Sequence, residues 1–364
     1  MSIKPYVLIL LFCAPLFLTG CGHRWVNTTA VAISPDGEKI VATCYTYFKV
    51  GDGNSDRKAF GTVWDANGNV AFQLDNVLLP QGNPHRRYLR FIKDGTEIIS
   101  ASSGTVTLYD TQTGKVLRSF RVRSEYDIES VVFTADEKYA LIQDEHWRIF
   151  QVDVQTGETI KTIEKCRYNY QAGSPSVILS PDGKSFAVCD PLSSTHNLRE
   201  VRIYDIETEN LIRRLPIPAE IRSADFSHNH RSVFTPDGKR IIICLSSYIV
   251  VFDLEKQENN IKTLGGVDIG DVVPGYRSPL ATNGQTLVVG SGRGEVGTGI
   301  VAVNLTTGKR LTFGKHLGRA TSIAISPDGK HVLSSCGPTK EIKEPGILYW
   351  DIETGEIKRI FQVP

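Results

Sequence analysis

Residues 322–336 read SIAISPDGKHVLSSC, and residues 346–361 read GILYWDIETGEIKRIF. The first run is an alternating strand, a Pro-Asp-Gly turn and a second strand. The next run is a third strand ending Tyr349-Trp350-Asp351, a Thr-Gly turn and a fourth strand. Working outward, the first-turn aspartate recurs as Asp36, Asp94, Asp136, Asp182 and Asp237, with Asn283 standing in once. The residue closing the third strand recurs as Asp65, Asp110, Asp153, Asp205, Asp253 and Asn304. The mean period is about 49 residues. Before each closing residue stands Trp64, Tyr109, Val152, Tyr204, Phe252, Val303 or Trp350, all bulky or β-branched, as suits a half-buried pleated surface.

The runs in each copy alternate in polarity and are bounded by Gly, Pro, Asp and Asn, the pattern of antiparallel strands joined by tight turns. Four such strands cannot bury their apolar faces alone, so successive copies must stack. Radial closure of seven copies predicts an all-β chain, a seven-bladed β-propeller of four-stranded antiparallel blades spanning residues 28–364. SPDGEKIVATC, GTVTLYDTQTGKVLRSF, SPDGKSFAVCD and TPDGKRIIIC resemble the repeats of bacterial WD40-like and YVTN-like propellers. The resemblance implies a fold and little about function. No Gly-His pair precedes the first strands, and an aspartate between second and third strands is mostly missing.

Residues 1–20 read MSIKPYVLILLFCAPLFLTG, one lysine followed by a short apolar run. The run is short for a membrane span and has the layout of a secretory signal. It ends Leu18-Thr19-Gly20-Cys21, which resembles the lipobox of bacterial lipoproteins. The resemblance implies acylation of Cys21, a stable membrane anchor, and a short tether over residues 21–27. Gly22, where an aspartate is absent, is similar to the outer-membrane sorting pattern, facing the periplasm.

The chain has 41 basic and 40 acidic residues, and Lys4 leaves with the leader. A balanced chain without Lys/Arg runs argues against nucleic acid as a partner. Cys44, Cys189, Cys244 and Cys336 fall late in their second strands and read as buried apolar side chains rather than disulfides or ligands. Cys166 falls in a loop.

The strand order puts first-to-second and third-to-fourth turns at one end of the disc. Blade linkers and second-to-third loops lie at the other, with long insertions expected at 45–60, 76–88, 163–175, 190–199, 214–231, 262–279, 290–299 and 336–346. Long loops on a rigid scaffold are where binding concentrates. His85, Arg86, Arg87 and Tyr88 share one linker, and Arg167, Tyr168 and Tyr170 another. His228, His230 and Arg231 sit together, as do His316 and Arg319. Aromatic and Arg side chains make good protein-binding anchors, so these are the candidate contacts for a protein partner.

No metal or cofactor is expected. Gly292-Arg293-Gly294-Glu295-Val296-Gly297 fits GxGxxG but connects strands and opens no helix. Asp52, Asn54 and Asp56 begin like a calcium loop, yet Arg57 and Val63 stand where Gly and Glu are needed. His228 and His230 have no predictable third ligand. No nucleophile elbow, HExxH, P-loop or CxxC is present, so catalysis is not the leading expectation. The rivals are an enzyme or small-ligand binder with its site in the central channel, and an adhesion protein. A first strand starting near Thr29 and a last ending near Phe361 predict blades of consecutive chain, a seam closed by packing, and a monomer. A tether from Cys21 to Asn27 would reach at most about 24 Å, holding the long-loop face close to the membrane and to a membrane-embedded partner.

Overall fold

A computed structural model describes residues 24–363 apart from 50–54, 78–87, 103, 123, 125–127, 135, 137, 145, 147, 165–175, 192–197, 219–230, 245–247, 257–260, 266–278, 291–298, 314–319 and 337–345. It forms a seven-bladed β-propeller. Blade 1 is β1 (Arg24–Ile33), β2 (Lys39–Lys49), β3 (Ser55–Asp65) and β4 (Val70–Leu74). Blade 2 is β5 (Tyr88–Ile92), β6 (Glu97–Ser102), β7 (Thr105–Asp110) and β8 (Val116–Arg121). Blade 3 is β9 (Ile128–Phe133), β10 (Tyr139–Asp144), β11 (Ile149–Asp153) and β12 (Thr159–Ile163). Blade 4 is β13 (Ser176–Leu179), β14 (Ser185–Pro191), β15 (Leu198–Asp205) and β16 (Leu211–Pro216). Blade 5 is β17 (Arg231–Phe234), β18 (Arg240–Cys244), β19 (Tyr248–Asp253) and β20 (Ile261–Gly265). Blade 6 is β21 (Leu280–Thr282), β22 (Thr286–Gly290), β23 (Ile300–Asn304) and β24 (Arg310–Thr312). Blade 7 is β25 (Ala320–Ile325), β26 (His331–Cys336), β27 (Gly346–Asp351) and β28 (Ile357–Gln362). Each sheet keeps its strands in chain order, all antiparallel, and the first strands of neighbouring blades approach one another around the ring.

The core is not one body. It consists of seven apolar clusters, one between each pair of neighbouring sheets. Strand alternation divides the side chains between them. On β18, Ile241 and Ile243 pack toward blade 4, and Ile242 and Cys244 toward blade 6. On β7, Val106 and Leu108 face blade 3, and Tyr109 faces blade 1. The bulky series before the closing Asp or Asn is buried at Trp64, Tyr109, Val152, Phe252, Val303 and Trp350. Tyr204 is half-buried and stacks on Phe186 at 5.2 Å between centroids. Trp350 donates its indole N–H to Ser334 Oγ at 2.8 Å, satisfying the one polar atom that burial would otherwise orphan.

A second device links the rim. Basic residues of four outer strands reach into the next blade's third-to-fourth turn. Arg118 donates to Val154 O at 3.0 Å, and Lys161 to Ile206 O at 3.2 Å and Glu207 O at 2.7 Å. Arg213 donates to Leu254 O at 2.7 Å and to Lys256 O. Lys262 donates to Leu305 O at 3.2 Å and to Thr306 O. In three of these strands the residue just before the clasp, Leu117, Ile160 or Ile212, is the extra residue of a β-bulge. Those three apolar side chains are exposed at 50%, 54% and 58%, which is what a bulge does when it re-aims the next side chain.

Among the described residues, no strand is exchanged across the seam between blades 7 and 1. An apolar cluster of Val31, Ile40, Ala42, Cys44 and Trp64 against Leu333, Ile347 and Phe361 fills it. Thr321 Oγ1 donates to Thr28 O at 2.8 Å, and Val31 N–H to Ser322 Oγ at 3.2 Å. Thr29 and Thr321 are each the extra residue of a bulge in the innermost strand.

Three expectations need correction. The first strand begins at Arg24, not near Thr29, and residues Arg24–Asn27 pair with β2 of their own blade. Residues 45–60 are not an insertion: β2 runs to Lys49 and β3 starts at Ser55. The aromatic and β-branched run Tyr45-Thr46-Tyr47-Phe48 has strong strand preference and continues the sheet past the repeat's usual end. Asp94 lies in a 3-10 turn at Lys93–Gly95 with φ 51°, so its turn differs from the Asp-capped first turns elsewhere.

Arg213→Met keeps the aliphatic stem of the clasp and removes its donors. Denaturant unfolding is expected to show a loss of about 1.5–3 kcal/mol, the usual worth of a hydrogen bond from a charged group. Leu117→Thr, at an exposed bulge, is expected to change stability by less than about 0.5 kcal/mol.

Candidate functional site

The two ends of the disc are built differently. One end carries first-to-second and third-to-fourth turns, nearly all of one design. In the first turns, Ser34 Oγ, Thr134 Oγ1, Ser180 Oγ and Ser326 Oγ donate to Asp36, Asp136, Asp182 and Asp328 at 2.5–2.6 Å. Each carboxylate also accepts the backbone N–H two residues on where that residue is Glu38, Lys138, Lys184 or Lys330. In the third-to-fourth turns, Asp110, Asp153, Asp205 and Asp351 accept the backbone N–H and the hydroxyl of Thr113, Thr156, Thr208 and Thr354. The turn glycine is obligatory at Gly157. Its φ is 74°, and a Cβ there would sit 2.6 Å from Phe120 Cβ of the preceding blade.

At Asp36, Asp110, Asp136, Asp153, Asp205, Asp328 and Asp351 the caps hold the carboxylate below the usual range. For Asp36, Asp136 and Asp328 the hydroxyl bond is the main cause, followed by the backbone N–H. For Asp153, Asp205 and Asp351 the threonine N–H leads. In each cap the Oδ1 atom is engaged by the turn's own hydroxyl and N–H groups, which marks this end as scaffold.

The other end carries connections of a different kind. Linkers span residues 75–87, 164–175, 217–230, 266–279 and 313–319, and second-to-third connections span 291–299 and 337–345. Of the candidate contacts, His85, Arg86, Arg87, Arg167, Tyr168, Tyr170, His228, His230, His316 and Arg319 lie outside the described residues. So do Cys21, Cys166, Asp52, Asn54 and residues 292–297. Two candidates are within them. Tyr88 opens β5 opposite Ala101, half-buried against the cluster between blades 2 and 3. Arg231 opens β17 opposite Cys244. Both therefore stand where an innermost strand leaves the long-connection end, but in blades 2 and 5, three blades apart.

One charged group at this end escaped the sequence reading. Asp144, fully buried at the end of β10, pairs with Arg148 Nη2 at 2.7 Å and accepts Arg148 Nε at 2.8 Å. It also accepts Ser124 Oγ at 3.0 Å and the backbone N–H groups of His146 and Arg148 at 3.0 Å. Five donors saturate the carboxylate. It braces the β10–β11 corner and has no lone pair to offer a ligand. Its only sequence signal is an Asp-x-x-x-Arg string at a strand end.

Cys44, Cys189 and Cys244 are buried and form no disulfide, and burial pushes the Cys244 thiol up to about 12, so Cys244 is an inert packing group. Among the described residues no cluster of three metal-ligating side chains occurs, and no helix is long and apolar enough to cross a membrane. No family model matches the chain, and no curated protein matches it.

The caps make a pH prediction. At the seven carboxylates named above, the folded pKa lies below the unfolded value of 3.8. Their contribution is therefore complete above that pH and is lost as pH falls through the lowered folded values. Thermal midpoints measured from pH 6 down to pH 2 are expected to fall steeply only below about 4. Asn304 already makes the same two backbone contacts as Asp351 without a titrating group. Asp351→Asn is accordingly expected to keep most of the neutral-pH midpoint and flatten its acid slope, and Asp351→Ala to lower the midpoint at both pH values.

Proposed function

We propose that this protein is a lipid-anchored propeller of the WD40-like or YVTN-like kind, acting as a binding or assembly scaffold at the bacterial cell envelope. It sits on the outer membrane facing the periplasm, and it engages a protein partner through its long-connection face. The observation that carries this reading is the sorting of connections. Turns that consume their own polar groups occupy one end, and nearly all the sequence free to vary in length occupies the other. A rigid ring that presents variable loops on one side is suited to recognition. The leader with its Leu18-Thr19-Gly20-Cys21 ending supports the anchor. The Arg and aromatic content of the linkers, among them Arg86, Arg87, Arg167 and Tyr168, supports a protein as what is bound.

The test is position-resolved crosslinking in intact cells. Photoreactive residues at Arg86, Arg167 or Arg319 are expected to capture one membrane-associated protein. The same probe at Gln112 or Glu353, in the capped turns, is expected to capture nothing specific. Cys21→Ser is expected to move the chain from the membrane to the soluble fraction. Adducts confined to the capped-turn positions would overturn the choice of face, and membrane retention of Cys21→Ser would overturn the anchor.

A further inference from the structure

Hydrogen bonds between neighbouring blades are not spread evenly round the ring. Asp75 N–H donates to Gly114 O at 3.1 Å between blades 1 and 2. The basic clasps join blade 2 to 3, 3 to 4, 4 to 5 and 5 to 6. The last two of these junctions carry a further bond each. Ser232 Oγ donates to Cys189 Sγ at 3.3 Å, and Arg240 Nη2 donates to Gly284 O. Thr321 and Ser322 bond across the seam to blade 1. Among the described residues, no hydrogen bond or ion pair joins blade 6 to blade 7.

The sequence explains the gap. Register gives every clasp the same place, opposite the residue two before the closing Asp. Arg118 faces Leu108, Lys161 faces Gln151, Arg213 faces Ile203 and Lys262 faces Val251. In blade 6 that place, opposite Ala302, belongs to Leu311. Leu311 lies against the blade 7 turn, its Cδ2 3.6 Å from where a Cβ on Gly355 would stand, and it has no donor to offer. The junction is filled by an apolar cluster that includes Val288 and Phe313 from blade 6 and Val332 and Trp350 from blade 7. Apolar contact is non-directional. It holds two sheets together without fixing where one sits on the other, which the narrow geometry of hydrogen bonds does. Blade 6 also has the shortest inner and outer ladders of the described sheets, Leu280–Thr282 with β22 and Arg310–Thr312 with β23.

We propose that the ring is built to part between blades 6 and 7. Starting at blade 7 and passing through blade 1 to blade 6, the sheets form one hydrogen-bonded arc, and the two ends of that arc meet on apolar contact alone. The place of opening is therefore not the seam, even though blades 7 and 1 are not consecutive in the chain. Hydroxyl groups bond across the seam, while the junction that lacks such bonds is crossed by the chain itself after Phe313. Blades 6 and 7 can thus separate and return without the arc coming apart. This is a local opening of the fold, below the free energy of global unfolding, and it uncovers the facing sheets of these two blades.

Buried thiols read the junctions one by one. Cys189 lies between blades 4 and 5, Cys244 between 5 and 6, and Cys44 between 7 and 1. Val288→Cys and Val332→Cys, made separately, each put a thiol between blades 6 and 7 at a fully buried position. The full-length chain is alkylated with iodoacetamide under native conditions, and peptide mass mapping follows each site, so each rate reports how often that junction opens. In both variants the new thiol is expected to react at least about tenfold faster than the three native ones, the scale set by one missing hydrogen bond from a charged group. Adding Leu311→Arg, which supplies a donor at the clasp position, is expected to remove most of that difference. Circular dichroism and the thermal midpoint confirm that each variant folds. Faster reaction at Cys44 would overturn the proposal in favour of the seam. Equal rates at all four sites would overturn it in favour of global unfolding. A folded Leu311→Arg chain whose new thiol reacts as fast as before would sink the missing clasp as the cause.

Discussion

Face-to-face packing of neighbouring sheets is the constraint from which everything else in this molecule follows. A four-stranded sheet here has two apolar faces and no helix to cover either. Each interface collects between eight and twelve buried apolar side chains. At about 1.5–3 kcal/mol per fully buried aliphatic or aromatic side chain, one interface is worth on the order of 10–30 kcal/mol before entropy, as an upper bound. A rim clasp such as Arg213 on Leu254 O and Lys256 O contributes roughly a tenth of that. The clasps therefore set how neighbouring blades align, while the clusters decide that they stay together. Because every blade lends one face to each neighbour, no blade has a core of its own.

That division of labour leaves one end of the disc committed and the other available. The Asp-Gly turns satisfy their own donors and sit against the preceding blade so closely that Gly157 tolerates no Cβ. Sequence change there costs stability directly. Linkers and second-to-third connections at the opposite end carry no such repeated network among the described residues, and their lengths differ from blade to blade. Asp144 is the instructive exception. A buried carboxylate at that end suggests chemistry until its five donors are counted, after which it reads as a brace.

Much of the architecture was legible in the sequence because it is repeated. The closing residue of the third strand, with a bulky neighbour before it, marks seven positions, and all seven bulky residues pack between sheets. What repetition could not reveal is what one blade does alone. The template ended at Cys44, so Tyr45–Lys49 read as loop, although their β-branched and aromatic character continues the ladder. Asp94 matched the turn series by spacing, yet Lys93 and Asp94 both take positive φ there. The clasps had no sequence signature of their own: Arg118, Lys161, Arg213 and Lys262 look like ordinary outer-strand residues, and bulges at Leu117, Ile160 and Ile212 turn the first three toward the next blade. Of the candidate contacts, spacing grouped residues by linker, and grouping by linker is not proximity. Tyr88 and Arg231 start innermost strands on well-separated blades, and Tyr88 gives part of its ring to the core.

The seam joins these threads. A ring made of consecutive blades must close on side chains alone, and here β1 supplies one wall of that closure. Thr28 and Val31 of β1 hydrogen-bond to Thr321 and Ser322 of β25, beside the aromatic contact of Trp64 with Phe361 at 5.9 Å between centroids. The same strand runs on, four residues beyond Thr28, to Arg24, where it extends the sheet of its own blade. Those residues could have crossed the seam to pair with blade 7. They extend their own blade instead, so among the described residues no ladder bond ties the two ends of the ring. A force applied to this extension therefore acts on the strand that closes the ring, through the bulge at Thr29. The extension of blade 1 and the closure of the ring are mechanically one problem in this fold, because a single strand serves both.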